Sequence, residues 1–287
     1  MIERETAIRL RDNMYEIRMR ILDCIRGAGG GHIGGSMSVA ECIAALYLGA
    51  AHISPDTLQS PDRDKILLSK GHSGAALYAT LAYLGYFDSE LLSTMNANGT
   101  RLPGHPDRTK LPGVEISTGS LGQGGSMAAG FAYADMLDGR DCKTFLILGD
   151  GELNEGQTWE AMMLIAHHNL RNLITIVDNN GLQCDGTLDE ICKPFDIGAK
   201  FRAFGFETID VPNGNEIIDV YETLRFVRAK QSDRPICVLL HTKKGAKMSL
   251  FENVVAGHHC KMTDEQYRVC KRDLAIAFGR EEGTEDA

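Results

Sequence analysis

The run Thr144-Phe145-Leu146-Ile147-Leu148, closed by Gly149-Asp150-Gly151, decides the fold of this chain together with its echo, Leu173-Ile174-Thr175-Ile176-Val177, closed by Asp178-Asn179-Asn180-Gly181. Each is a short, continuous apolar stretch bounded by polar and glycine residues, the pattern of a strand buried on both faces. Residues 158–168 between them carry a helical pattern. Strand, helix, strand in this order is a parallel βαβ unit. Working outward, Glu207–Val211 and Ile236-Cys237-Val238-Leu239-Leu240 read as further strands, separated by a helical pattern over 216–228. Upstream, Ala7, Leu10, Met14, Ile17, Ile21, Cys24 and Ile25 recur at helical spacing and stop at Gly27-Ala28-Gly29-Gly30-Gly31. Further helices are expected near Ser38 (Val39, Cys42, Ile43, Leu46, Tyr47) and from Gly74 (Leu77, Leu81, Leu84), so the opening third reads as helical. The expected class is α/β, a wound, mostly parallel sheet with helices on both faces. No repeat, linker or low-complexity tract interrupts it, so residues 1–287 read as a single domain, with a charged tail at 280–287 expected to fray.

The 287 residues are 43% hydrophobic and 24% charged, which excludes disordered and collagen-like chains. Lys plus Arg number 30 against 39 Asp plus Glu, a net charge of −9 without any basic run, which argues against nucleic acid or an anionic membrane as partner. No stretch approaches 18 apolar residues, and Met1-Ile2-Glu3-Arg4-Glu5 does not open a secretory signal, so a soluble, cytoplasmic protein is expected. Eight cysteines never form a Cys-x-x-Cys pair and read as free thiols. A zinc site from Cys260 with His258 and His259 is the alternative, but it lacks a second ligand pair at metal spacing.

In wound sheets ligands sit beyond the carboxyl ends of the strands, where Gly149-Asp150-Gly151 and Asp178-Asn179-Asn180 fall. Glycines let the backbone approach a bulky anion while Asp150 faces it. A lone carboxylate would repel a diphosphate; a divalent cation that takes oxygen ligands from Asp150, an Asn amide and the phosphates removes the conflict. Asn180 stands thirty positions after Asp150, the length of one crossover, so both arrive at one sheet edge. Read alone, Gly149-Asp150-Gly151 would be an ordinary turn. Four histidine-bearing segments sit in glycine-flanked loops: Gly31-His32, Gly71-His72, Gly104-His105 and Gly257-His258-His259. An imidazole there can donate to or accept from hydroxyls near neutral pH, although each alone could be a packed or surface residue. The glycines at 27–35 follow no strand, so a dinucleotide site is a weak reading.

Gly-Asp-Gly followed at this distance by Asn-Asn is the thiamine diphosphate signature, and Gly149-Asp150-Gly151-Glu152-Leu153-Asn154-Glu155-Gly156-Gln157-Thr158-Trp159-Glu160-Ala161 resembles the transketolase form of it. The resemblance implies thiamine diphosphate with Mg²⁺, or Ca²⁺ or Mn²⁺ in its place. It implies metal ligation by Asp150, the Asn180 side chain and the Leu182 main-chain carbonyl, with cofactor contacts from His72, Gly149 and Gly151. Ser117-Thr118-Gly119-Ser120-Leu121-Gly122-Gln123-Gly124 resembles the loop that touches the aminopyrimidine, through Gly119 and Leu121. His32, His72, His105 and His259 match the histidines that the family sets around the thiazolium C2 and the donor hydroxyls; His259 is preferred of the last pair because the stretch after it is polar and lysine-bearing. His52, His167, His168 and His241 are left to structure.

The likeness covers only the diphosphate-binding half of a transketolase. A separate C-terminal subunit would then carry the pyrimidine domain and the glutamate that activates the cofactor, with two copies of each chain forming a heterotetramer. Glu155 and Glu160 resemble carboxylates at the contact between sites, or simply an acidic helix start. The implied activity is transfer of a two-carbon ketol unit from a ketose phosphate to an aldose. A deoxyxylulose-phosphate-synthase-like or oxo-acid decarboxylating subunit, and a non-catalytic cofactor-binding chain, are the alternatives. Two departures stand out: Pro212-Asn213-Gly214-Asn215 replaces a common Asp-Gly-His-Asp, and His258 stands where a Trp is common.

Overall fold

The computed structural model describes residues 2–280. Its elements in chain order are α1 (Arg4–Gly27), β1 (Gly30–Gly31), α2 (Ile33–Ser38), α3 (Ala40–Ala45), β2 (Lys65–Leu68), α4 (Gly74–Tyr83), α5 (Gln123–Leu137), β3 (Thr144–Gly149), α6 (Gly156–His167) and β4 (Leu173–Asn179). The chain continues through α7 (Leu188–Ile191), α8 (Ile197–Ala203), β5 (Glu207–Val211), α9 (Ile217–Ala229), β6 (Ile236–His241), β7 (Cys260–Lys261) and α10 (Asp264–Ala277). Five strands form one parallel sheet in the order β2-β3-β4-β6-β5, and β1 pairs antiparallel with β7.

Period-two alternation along the strands explains the two layers of core. Phe145 and Ile147, Ile174 and Ile176, and Ile236, Val238 and Leu240 pack into one apolar cluster with residues of α1, α3, α4 and α9. Leu146 and Leu148, Leu173 and Val177, and Cys237 and Leu239 pack into the other with α5, α6 and α8. Both strand faces are apolar because both are covered, which is why the runs read as continuous. The β4-to-β5 connection steps to the edge of the sheet and α9 brings the chain back to β6, so α9 lies on the opposite face from α6 and α8, as crossovers of one hand require.

The wound parallel sheet matches expectation, and the opening third is less helical than its pattern suggests. β2 is a strand there; its four residues, Lys65-Ile66-Leu67-Leu68, begin with a charge and are too short to stand out. The helix expected near Ser38 is broken into α2 and α3 and continues as a wide turn, Leu46–Ala50, in which Gly49 takes φ 119°. Sequence periodicity also did not announce α5, where Gly124, Gly125 and Gly130 dilute the apolar pattern, or α10. Of the tail at 280–287, Arg280 pairs with Asp12 at 2.9 Å and lies over the Tyr15 ring; residues 281–287 are outside the described residues.

Candidate functional site

Four parallel strands end at the same edge, and the first polar residues after each meet there. β2 runs into Ser69-Lys70-Gly71-His72, β3 into Asp150, β4 into Asn180 and β6 into Thr242-Lys243-Lys244. A cleft of about 210 Å³ opens between them, lined by Lys70, His72, Leu121, Gly149, Asp150, Gly151, Glu152, Glu155, Asn180, Leu182, Cys184, Lys244 and His258 among others.

The floor of the cleft is knitted by hydrogen bonds. Asp150, almost wholly buried, accepts from the Gly151 N–H at 2.8 Å and the Gly181 N–H at 2.6 Å. Burial, then the negative charge of Asp178, pushes its carboxyl up to about 6. A bound cation would act in the opposite sense. Asp178, fully buried, accepts from Lys70 Nζ and Thr242 Oγ1, from Ser38 Oγ at 2.5 Å and from Asn180 Nδ2 at 3.3 Å. Asn180 Oδ1 accepts from the Leu182 N–H at 3.1 Å. Lys244 Nζ donates to the Gln183 carbonyl at 2.6 Å, the Leu182 carbonyl at 3.3 Å and His258 Nδ1 at 2.9 Å. Burial and the Lys70 charge lower the Lys244 ammonium to about 8. An ammonium can only donate, so the neutral His258 ring carries its proton on Nε2. Burial raises the Glu152 carboxyl, while its three hydrogen bonds oppose the rise.

Beside the floor, four imidazoles gather around His32. Ring centres lie 4.6 Å away for His259, 5.4 Å for His258, 5.5 Å for His72 and 5.6 Å for His105, and His72 and His258 are 5.2 Å apart. Burial holds His32 and His258 down at about 4 and His72 well below its usual range; neighbouring cationic groups add to each effect. These rings are therefore neutral at pH 7, able to accept at one nitrogen and donate at the other. Close loop contacts depend on missing side chains: a Cβ on Gly71 would stand 2.6 Å from Thr118 Oγ1, and one on Gly119, whose φ is 141°, would meet the His105 ring at 3.1 Å.

Of the residues singled out from sequence, His72, Leu121, Gly149, Asp150, Gly151, Asn180 and Leu182 line the cleft. His32, His105 and His259 are brought together beside it, and Gly119 lies against His105 rather than among the cleft-lining residues. His258 lines the cleft and holds Lys244, whereas His259 is exposed next to His32. Glu155 lines the cleft, while Glu160 lies on α6 and does not. His241 binds Asp210 at 2.8 Å and His168 packs on Tyr133, both away from the cleft. Among the described residues no three His, Cys, Asp or Glu side chains are placed to hold a metal, which leaves the alternative zinc site from Cys260, His258 and His259 without support. A set made of one carboxylate, one amide and one main-chain carbonyl is a different kind of site. Sequence reasoning missed Lys70, Asp178, Glu152 and Lys244. Each was signalled by position, since each lies within a few residues of the end of a buried strand at the edge that carries Asp150.

A parallel α/β sheet whose carboxyl edge presents hard oxygen donors, a buried cation and neutral imidazoles can hold an anionic ligand. Residues 11–280 match the family described as "Transketolase, thiamine diphosphate binding domain", and the chain belongs to that family. It is 41% identical over 272 residues to the 6-deoxy-6-sulfo-D-fructose transketolase subunit SqwG of Clostridium sp. (strain MSTE9), covering 94% of this chain and 98% of that one. It is 36% identical over 258 residues to an apulose-4-phosphate transketolase subunit of Phocaeicola vulgatus, covering 90% and 91%. Among solved structures, the transketolase from Leishmania mexicana superposes with a TM-score of 0.85 at 28% identity, covering 97% of this chain but 42% of that one. The chain thus spans about two-fifths of such single-chain transketolases and nearly the full length of the named subunits.

Proposed function

We propose that this chain is the diphosphate-binding subunit of a two-chain transketolase, transferring a two-carbon ketol unit from a ketose donor that bears an anionic group to an aldose. The observation that carries the reading is the convergence of Asp150, Asn180, the Leu182 carbonyl, His72 and Lys244 on one cleft at the carboxyl edge of the sheet. The donor set suits Mg²⁺ or another hard divalent cation, because every ligand offered is oxygen. Asp150 supplies the charge, Asn180 and Leu182 the neutral oxygens, and Gly149 and Gly151 the open backbone against which a diphosphate lies. Leu121 and Gly119 belong to the loop that meets the aminopyrimidine.

When bound, thiamine diphosphate would supply the nucleophilic carbon that ketol transfer needs. The chain's own residues bind and orient. Lys244, without a carboxylate partner among the described residues, balances phosphate charge. His32, His72, His105 and His259 hold donor hydroxyls and pass protons to and from the oxygen that develops charge. His258, fixed as a donor at Nε2 by Lys244, joins them at the junction between floor and cluster.

Named relatives of the same length are subunits, and large apolar side chains stand exposed on the packed pair α5 and α6: Met136 and Leu137 on one, Met163 and Leu164 on the other. Both support a partner chain; in this reading it carries the pyrimidine domain and the activating glutamate, and two copies of each subunit assemble in the cytoplasm. The present chain acts as one domain in this arrangement. The test is co-expression with the candidate partner and assay of ketol transfer from phosphorylated and sulfonated ketoses. Transfer that requires both chains, thiamine diphosphate and Mg²⁺ supports the reading; release of CO₂ from pyruvate instead would replace it with an oxo-acid decarboxylating subunit.

A further inference from the structure

Glu152 is 2% exposed, sits on the single turn Gly151–Asn154 after β3, and has no cationic partner within ion-pair distance among the described residues. A carboxylate in such a place is costly unless its oxygens are satisfied. Here they are, by donors from three separate loops. Oε1 accepts from Ser69 Oγ and from the Gly122 N–H at 2.9 Å, and Oε2 accepts from the Gly149 N–H at 3.2 Å. Ser69 begins the loop that carries Lys70 and His72, Gly122 ends the loop that carries Gly119 and Leu121, and Gly149 begins the turn that carries Asp150. The loops are packed to the limit around this point: a Cβ on Gly124 would stand 2.2 Å from Ser69 Oγ. A carboxylate has two oxygens and no donor of its own, so it can receive all three at once; an amide cannot.

We propose that Glu152 is a positioning residue that fixes the register of the three loops facing the cleft, so that His72, Leu121 and Asp150 stand in place before any ligand arrives. The consequence for cofactor affinity rests on the function proposed above; the consequence for the loops does not.

The full-length chain is compared by amide hydrogen exchange as wild type, Glu152→Ala and Glu152→Gln. In Glu152→Ala, exchange at the Gly122 and Gly149 amides is expected to rise about tenfold or more, the scale of a hydrogen bond to a charged acceptor, while the central amides of β3 and β4 keep their protection. In Glu152→Gln, which keeps the volume and therefore the fold, Oε1 still receives Ser69 and Gly122, and only Gly149, now facing an amide donor, should lose protection. Calorimetry with thiamine diphosphate and Mg²⁺ should follow, with affinity falling about tenfold in the Ala protein and by less in the Gln protein. Unchanged protection at both glycines overturns the proposal. So does a uniform rise that includes the sheet interior, because Glu152 would then merely stabilise the fold. If the wild-type chain with its partner binds no thiamine diphosphate, the proposed function fails, and the exchange pattern alone still decides the role of Glu152.

Discussion

The floor of the cleft and the histidine cluster beside it are built on opposite plans. On the floor, Asp150, Asp178, Asn180, Lys70 and Lys244 are each tied to two or more partners, so their positions are set before a ligand enters. In the cluster, His32, His72, His105 and His259 make no side-chain hydrogen bond among the described residues and are held by packing against one another and against glycine backbone. Their nitrogens are free for a ligand. Under the proposed function the difference separates two jobs: a rigid, charged floor would bind a diphosphate with its metal, and uncommitted imidazoles would handle hydroxyls and protons as the substrate changes.

Four perturbations test that division. The largest effect is expected from Asp150→Ala, which removes the only carboxylate of the proposed metal set. Calorimetry should show loss of Mg²⁺-dependent thiamine diphosphate binding with an unchanged circular dichroism spectrum, and wild-type affinity would move the metal elsewhere. Next, Lys70→Met leaves Asp178 charged and buried, so denaturant unfolding should show a loss of about 3–5 kcal/mol, the cost of breaking a buried pair. The exposed pair Lys243 with Glu252 at 2.8 Å gives the contrast, since Lys243→Met should cost about 1 kcal/mol or less. Third, Ala at His32, His105 or His259 should lower turnover about 10²-fold while sparing cofactor affinity, and Ala at His72, which lines the cleft, should lower both. His258→Ala should reduce both, because that ring belongs to floor and cluster alike; equal and small effects from all five would dissolve the distinction between the two regions.

The smallest effect is on stability against pH. His32 and His258 titrate at about 4 in the folded chain, below the value of about 6.5 of an exposed imidazole. Between these values the two rings bind more protons in the unfolded chain than in the folded one, so their contribution to stability is greatest above about 6.5 and falls as pH is lowered toward 4, while Asp150, raised to about 6, contributes in the opposite sense. The comparison with His258→Asn isolates the ring, because the carboxylates are common to both proteins: the melting temperature of the wild type should fall more, or rise less, than that of the variant as pH drops from about 6.5 to about 4. Identical slopes in the two proteins would mean that His258 titrates alike folded and unfolded.

Much of this was legible in the sequence because strands covered on both faces are continuous apolar runs, and their first polar residues mark the ligand edge. Gly149-Asp150-Gly151 and Asn180 were readable for that reason. β2 was not, since four residues opening on Lys65 carry too little pattern, and Lys70 lost its context with it. Asp178 was quoted as part of a strand end, but its role as acceptor for Ser38, Lys70, Asn180 and Thr242 depends on four elements meeting, which no local window contains. The choice between His258 and His259 turns on Lys244, fourteen residues away in sequence and 2.9 Å away in space.

The most direct test of the account is reconstitution. Purified chain, thiamine diphosphate and Mg²⁺ are assayed for ketol transfer from a ketose phosphate to an aldose with and without the candidate pyrimidine-domain subunit, and the mass of each mixture is read by light scattering. The account predicts no turnover by this chain alone, and turnover that appears together with a complex containing both subunits. Robust transfer by the single chain would contradict it, because the carboxylate that activates the cofactor would then lie within these 287 residues.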